Sequence, residues 1–228
     1  MGKVHLRTAW SFLLLLLASS LVFAGATTHS VTGDVLLVPI KGDAVRLAIG
    51  QRVESGATIK SSKGSAVLRF DDGQLISVAP DTTFGITDYK FNPQKPEEGS
   101  FVGTLLKGAL RAVTGLIGES NKTNVVFKTS VATIGIRGTD FQLYFDDRLY
   151  ISILDGAVEA SNEAGSAVFD ANNQPLGIVT SSQSQPRPAT LEELPAATQA
   201  AFRQMQMLPL SDKIRKPNPN DPTCADRR

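Results

Sequence analysis

One guanidinium stands inside an apolar, β-branched run: Arg137 in VATIGIRGTDF, residues 131–141, followed at once by Gly138 and Thr139. Arginine presents five N–H donors in a rigid fork. In such a run it either satisfies carbonyls and a carboxylate where strands meet, or captures an anionic ligand. Ile134, Ile136 and Phe141 flank it, and an unpaired charge among them would be costly. The structural role is therefore favoured, with Asp140 or Asp155 as partner and Gly135 and Gly138 letting backbones approach closely. Two pairs of adjacent acids, Asp71–Asp72 in RFDDGQL and Asp146–Asp147 in FDDRL, raise the question of calcium. Calcium loops alternate their acids and add a later bidentate carboxylate. Neither feature is present, so both pairs read as turns. In the first, Asp72 and Gly73 are both expected at the positive φ of a type I′ turn.

Other reactive groups are sparse. His29 is the only histidine beyond the first few residues, and the single cysteine, Cys224, lies in a proline-rich tail. Nothing supplies a Ser-His or Cys-His pair, or a zinc cluster. GTLLKGALRAVTG lacks the Gly-Lys-Ser/Thr end of a phosphate loop. The sequon at Asn121 matters only in a eukaryotic secretory pathway. The expectation is a non-enzyme with no catalytic residue, no metal site and no cofactor.

The chain has 228 residues and opens with Lys3 and Arg7, a greasy block, AWSFLLLLLASSLVF, and the small residues Ala24, Gly25 and Ala26. That order predicts a secretory signal peptide over 1–26, cut near Ala26, with the mature chain starting near Thr27. The block is shorter than the ~20 residues a spanning helix needs, so the processed protein is expected not to span a membrane. Removal of Lys3 and Arg7 takes the 23 bases to 21 against 22 acids. No basic excess remains for nucleic acid or anionic lipid. With one cysteine an internal disulfide is impossible, and stability must come from burial and backbone pairing. Cys224 is read as an unpaired tail residue or an intermolecular bridge.

These groups must be positioned by strands. Segments such as VTGDVLLVP, SAVLRF, QLISVA, NVVFKT, FQLYF, LYISIL and GAVEAS follow one another, with glycines at 33, 42, 50, 56, 64, 73 and 85 between the earlier ones. That is the spacing of short strands and tight turns. FNPQKPEEGS, residues 91–100, reads as a loop. FVGTLLKGALRAVTGLIGES, interrupted by glycines at 103, 108, 115 and 118, reads as short strands or a strand and a turn, not as one amphipathic helix. The only helical stretch beyond the leader is TLEELPAATQAAFRQMQML, starting at Leu194 or Pro195 within a linker-and-helix segment 181–210. The tail 211–228 has little to bury and is expected to be disordered.

VATIGIRGTDF, together with GDVLLV, GQRVESGATIKSSKGSAVLRFDDGQLISVAPDTTF, LLKGALRAVTGLIG and ISILDGAVEASN, resembles the FecR domain of bacterial envelope proteins. The likeness runs from about Gly33 to Gly165, within an expected β domain over 27–180. One departure is Ser130, where the family usually has proline after the threonine of its signature. The resemblance implies an all-β, β-solenoid-like stack of short strands, with Gly135, Arg137, Gly138, Thr139, Asp155 and Gly156 as its structural signature. Such a stack needs its apolar ends covered. A C-terminal helix using Leu194, Ala197, Ala201, Met205 and Leu208 is expected to fold over one of them. Well-known members span the inner membrane and handle a sigma factor from a cytoplasmic segment. No such segment is read here, so sigma control does not carry over.

Two functions remain. The first is an exported, periplasmic or secreted binding or scaffold module whose partner is an envelope protein or glycan. The second is a glycan-acting or carbohydrate-binding protein with an acidic groove, which would bring two carboxylates about 5 to 9 Å apart.

Overall fold

The computed structural model describes residues 24–207. The greasy block, Leu208, Cys224 and the tail from 211 therefore lie outside the described residues. The first eight strands are β1 (Gly25–Thr32), β2 (Val35–Val38), β3 (Val45–Arg46), β4 (Arg52–Glu54), β5 (Thr58–Ser61), β6 (Ser65–Phe70), β7 (Leu75–Val78) and β8 (Thr83–Lys90). A long β9 (Ser100–Val113) leads into a short helix α1 (Leu116–Ser120). Then come β10 (Val125–Lys128), β11 (Thr133–Ile136), β12 (Asp140–Phe145), β13 (Leu149–Asp155), β14 (Ala157–Asn162), β15 (Gly165–Asp170), β16 (Leu176–Val179) and β17 (Arg187–Pro188). The helix α2 (Ala196–Gln206) closes the described chain. No helix among the described residues is long and apolar enough to cross a membrane.

The strands make two sheets. One runs β4-β1-β6-β7-β9-β12-β13-β16-β17 and the other β3-β2-β5-β8-β9-β10-β11-β14-β15. Every ladder is antiparallel except β9–β10. The fold is mainly β, as the sequence implies, but a solenoid-like stack is not confirmed by ladders of this kind. β9 belongs to both sheets: its first half pairs with β8 and β10, and its second half with β7 and β12. Gly103 and Gly108 do not break this stretch; the strand ends at Val113 and Gly115 caps the short helix after it, which is the strand-and-turn alternative. Gly108, at φ 91°, turns the strand from one sheet into the other, and Gly103 leaves room for the Phe84 ring, whose edge lies 2.9 Å from where a Cβ would sit.

Strict alternation builds the core between the sheets. Along β12, Phe141, Leu143 and Phe145 are buried inward, and along β13 Leu149, Ile151 and Ile153. A run of aromatic rings crosses the interior: Phe70 to Phe101 at 5.3 Å, Phe101 to Phe127 at 5.1 Å and Phe127 to Phe141 at 5.2 Å between centroids. Phe70 and Phe141 come from one sheet, Phe101 and Phe127 from the other. Edge-to-face and tilted ring pairs of this kind add to the burial that drives folding.

α2 begins at Ala196, directly after Pro195, and buries Thr198, Phe202 and Met205. It does not cap an end of the strand array. It lies across the outer face of the first sheet, where Leu194, Phe202 and Met205 join Ala79, Ala109, Tyr150 and Ile178 in a second apolar cluster. Ala197, expected on the buried stripe, is exposed. The stripe is shifted because Phe202, not Ala197, fills the sheet's outer face.

Candidate functional site

The hairpin from β2 to β3, with β4 beside it, carries an unusual surface. Leu36, Ile40, Val45 and Ile49 are four of the eight large apolar residues exposed among the described residues, and they fall within one short segment of the chain. Ile40 is 72% exposed. Its side chain lies over Gly56, at φ 84°, where any Cβ would collide with it. Two adjoining depressions, about 340 and about 480 Å³, share Ile40, Glu54 and Ser55 as walls. The first is completed by Leu37, Pro39, Lys41, Arg52 and Ala57, the second by Ala24, Tyr89, Lys90 and Phe91. Ser55 fixes the floor by accepting a hydrogen bond from the Tyr89 amide at 3.0 Å. The exposed Ile40 side chain beside a groove with Lys41, Arg52, Glu54 and Lys90 on its rim is the composition of a contact surface.

Next to this groove the turn at Asp71–Gly73 is more than a turn. Gly73 has φ 83° but Asp72 does not have positive φ, so the expected type I′ geometry is not formed. Gly73 N donates to Phe70 O at 3.0 Å and Phe70 N to Gln74 O at 2.9 Å, a three-residue loop closed by a glycine bulge. That geometry sends the two carboxylates in opposite directions. Asp71 faces outward and takes both arms of Arg52, at 2.6 and 2.8 Å, with the Gly25 amide donating to it at 2.9 Å. Asp72 is buried; its carboxylate accepts from the Gln74 amide at 3.1 Å, the Tyr89 hydroxyl at 3.2 Å and the Ile117 amide at 3.4 Å. Burial pushes the Asp72 carboxyl above the ordinary carboxylate range, against the pull of its donors. Burial, reinforced by the Asp72 charge, likewise raises the Tyr89 phenol. The sequence marked Asp72 only as a turn former.

The signature residues lie elsewhere. Arg137 is half-exposed and its Nη2 donates to Glu159 Oε2 at 3.0 Å, so neither Asp140 nor Asp155 is its partner. The expected interior position is overturned by the pleat: Ile134 and Ile136 point into the core, and Arg137 follows on the opposite side. The bond to Arg137 lowers the Glu159 carboxyl below its usual range. Among the described residues the most covered guanidinium of an ion pair is instead that of Arg111, half-buried, which grips Asp140 at 2.8 and 2.6 Å and donates to the Met205 carbonyl at 3.1 Å. Asp155 is exposed, opposite Asp140 across the β12–β13 ladder.

The two glycine motifs are joined. Gly138 (φ 80°) lies where the chain passes from the second sheet to the first, between β11 and β12, and Gly156 (φ 73°) where it passes back, between β13 and β14. A Cβ on Gly156 would collide with the Gly138 carbonyl. Thr139, buried between them and β9, donates from its amide to Thr114 Oγ1 at 3.0 Å and accepts at its carbonyl from the Thr114 amide at 2.9 Å. Gly135 has nothing within 4 Å of its would-be Cβ, so close approach is not its reason for being glycine. Among the described residues no group of three His, Cys, Asp or Glu side chains comes together.

Residues 57–159 match the family model described as FecR protein. Two crystal structures, at 1.65 and 2.50 Å, of a candidate anti-sigma factor from Parabacteroides distasonis ATCC 8503 are similar, each with a TM-score of 0.45 and 14% identity over 58% of this chain. The chain spans 59% of that protein's length. No match was found among curated proteins.

Proposed function

We propose that this chain, which carries a FecR domain at residues 57–159, works as an exported, non-catalytic binding module of the bacterial envelope, periplasmic or secreted, that takes a protein partner on the β2–β3 surface. The observation that carries the reading is Ile40, 72% exposed and yet a wall of both depressions. An apolar side chain standing over a concave rim of mixed charge is what a partner's side chains can enclose. Ile40 precedes the matched segment, so it would give this chain a specificity of its own on a shared scaffold. The glycan-acting alternative needs an acidic groove. Here Glu54 stands among Lys41, Arg52 and Lys90, and Asp140 and Glu159 are each held by an arginine.

The test places a photo-crosslinking amino acid at position 40 of the full chain in cells, with a control at position 168, an exposed site on the far edge strand. A discrete protein adduct from position 40 alone supports the reading. Equal adducts from both positions, or none from position 40, would end it.

A further inference from the structure

The sequence places the end of the leader after Ala26, because Ala24-Gly25-Ala26 matches a small-x-small cleavage site. The fold gives those last two residues work to do. Gly25 and Ala26 are the first residues of β1, an interior strand with β4 on one side and β6 on the other. Ala26 is fully buried and lies opposite both Val53 and Phe70. Gly25 is held by Asp71 twice: its amide donates to Asp71 Oδ2 at 2.9 Å, and its carbonyl accepts from the Asp71 amide at 3.1 Å. A cut after Ala26 would strip all of this from the sheet. Ala24 lies before the strand, half-buried against the margin of the core at the groove.

We infer that the processed chain begins at Gly25, and that the carboxylate of Asp71 is the receptor for its new terminal ammonium. This rests on the export reading given above. Water adds across the Ala24–Gly25 peptide bond under a membrane-associated peptidase that reads small residues; the departing leader keeps the Ala24 carboxylate, and Gly25 gains a protonated amine. Val22 and Ala24 then stand at the two positions the peptidase inspects. The amine forms 2.9 Å from Asp71 Oδ2, where an amide donor stands already, so a neutral donor becomes a charged one against the same acceptor. Arg52 keeps the Asp71 carboxylate oriented by its two arms. Glycine is the residue this place admits: a Cβ on residue 25 would come within 2.7 Å of the Val53 carbonyl and 3.0 Å of Arg52 Nη2.

The experiment expresses the full chain in an exporting bacterial host and determines the N-terminus of the product by Edman degradation and intact mass, with parallel cell fractionation. Gly25 as first residue is the expected result, and Thr27 overturns it. An exported but uncut chain overturns this inference alone. A chain retained uncut in the cytoplasm overturns it together with the export reading. A second measurement compares chains beginning at Gly25 and at Thr27, each with and without Asp71→Asn. The Gly25 chain is expected to melt higher, and Asp71→Asn to lower its melting temperature more than that of the Thr27 chain, in which only the Arg52 pair is lost. Equal losses in the two backgrounds would overturn the role of Asp71.

Discussion

Arg111 holds Asp140 by two parallel bonds, Nε to Oδ1 at 2.8 Å and Nη2 to Oδ2 at 2.6 Å, beneath the helix whose Met205 carbonyl the same guanidinium also reaches. The pair is the least exposed ion pair among the described residues, with side chains 11% and 21% accessible. Arg111→Lys keeps the charge and loses the fork. It should cost about 3 kcal/mol, the scale for breaking a largely buried charged network, read as a lower urea midpoint at unchanged m-value. Arg137→Ala, at a half-exposed pair, should stay within about 1 kcal/mol. The reverse order would show that the charge in GIRGTD, not the one in LRAV, locks the fold.

Gly156→Ala meets two penalties, a left-handed backbone and a collision with the Gly138 carbonyl, and should lower stability by about 3 kcal/mol. Gly135→Ala has open space and an ordinary strand conformation, and should be neutral or gain up to about 1 kcal/mol. Thermal melts of the two variants check the contrast.

Stability should depend on Asp72 in an unusual direction. Its carboxyl is raised in the folded protein above the ordinary carboxylate range, mainly by burial. The folded state therefore binds the proton more tightly than the unfolded chain does. The contribution is complete below the unfolded value and is lost as pH rises through the folded one. Denaturation midpoints should fall with rising pH from the ordinary carboxylate range upward, and Asp72→Asn should flatten that fall. An unchanged slope in the variant would assign the effect to other groups.

Phe202→Ala opens a gap between α2 and the sheet and should cost about 3 to 4 kcal/mol. Binding of a hydrophobic dye to the folded variant should rise as Ala109, Tyr150 and Ile178 gain access to solvent. No change in either would mean that the helix is not needed to cover that face.

The pattern of short alternating segments with glycine between them was enough to read a mainly β chain, and the motifs GIRGTD and LDGAV led to glycines that do meet. Which arginine is the more covered was not readable in the same way. Arg111 sits between Leu110 and Ala112, both inward, so the pleat aims it at what would be solvent on a bare sheet. It is covered only because α2, 94 residues later, lies over it. Asp72 was hidden for a similar reason: adjacent acids at a hairpin look alike, and a glycine bulge outside the type I′ pattern decides which of them turns inward. Leu36 falls in the segment read as strand, where alternation accounts for its exposure; Ile40 lies beyond it in a bend, where no period says whether a side chain is covered.

β9 passes through both sheets with Gly108 as its bend. Detaching either sheet would mean pulling apart hydrogen bonds that sit on the same strand as those of the other, so the strand couples the two mechanically as a spine does two sides of a book. Amides on both halves of β9 should then exchange with deuterium together, at one common opening energy, and unfolding should proceed in a single cooperative step instead of sheet by sheet.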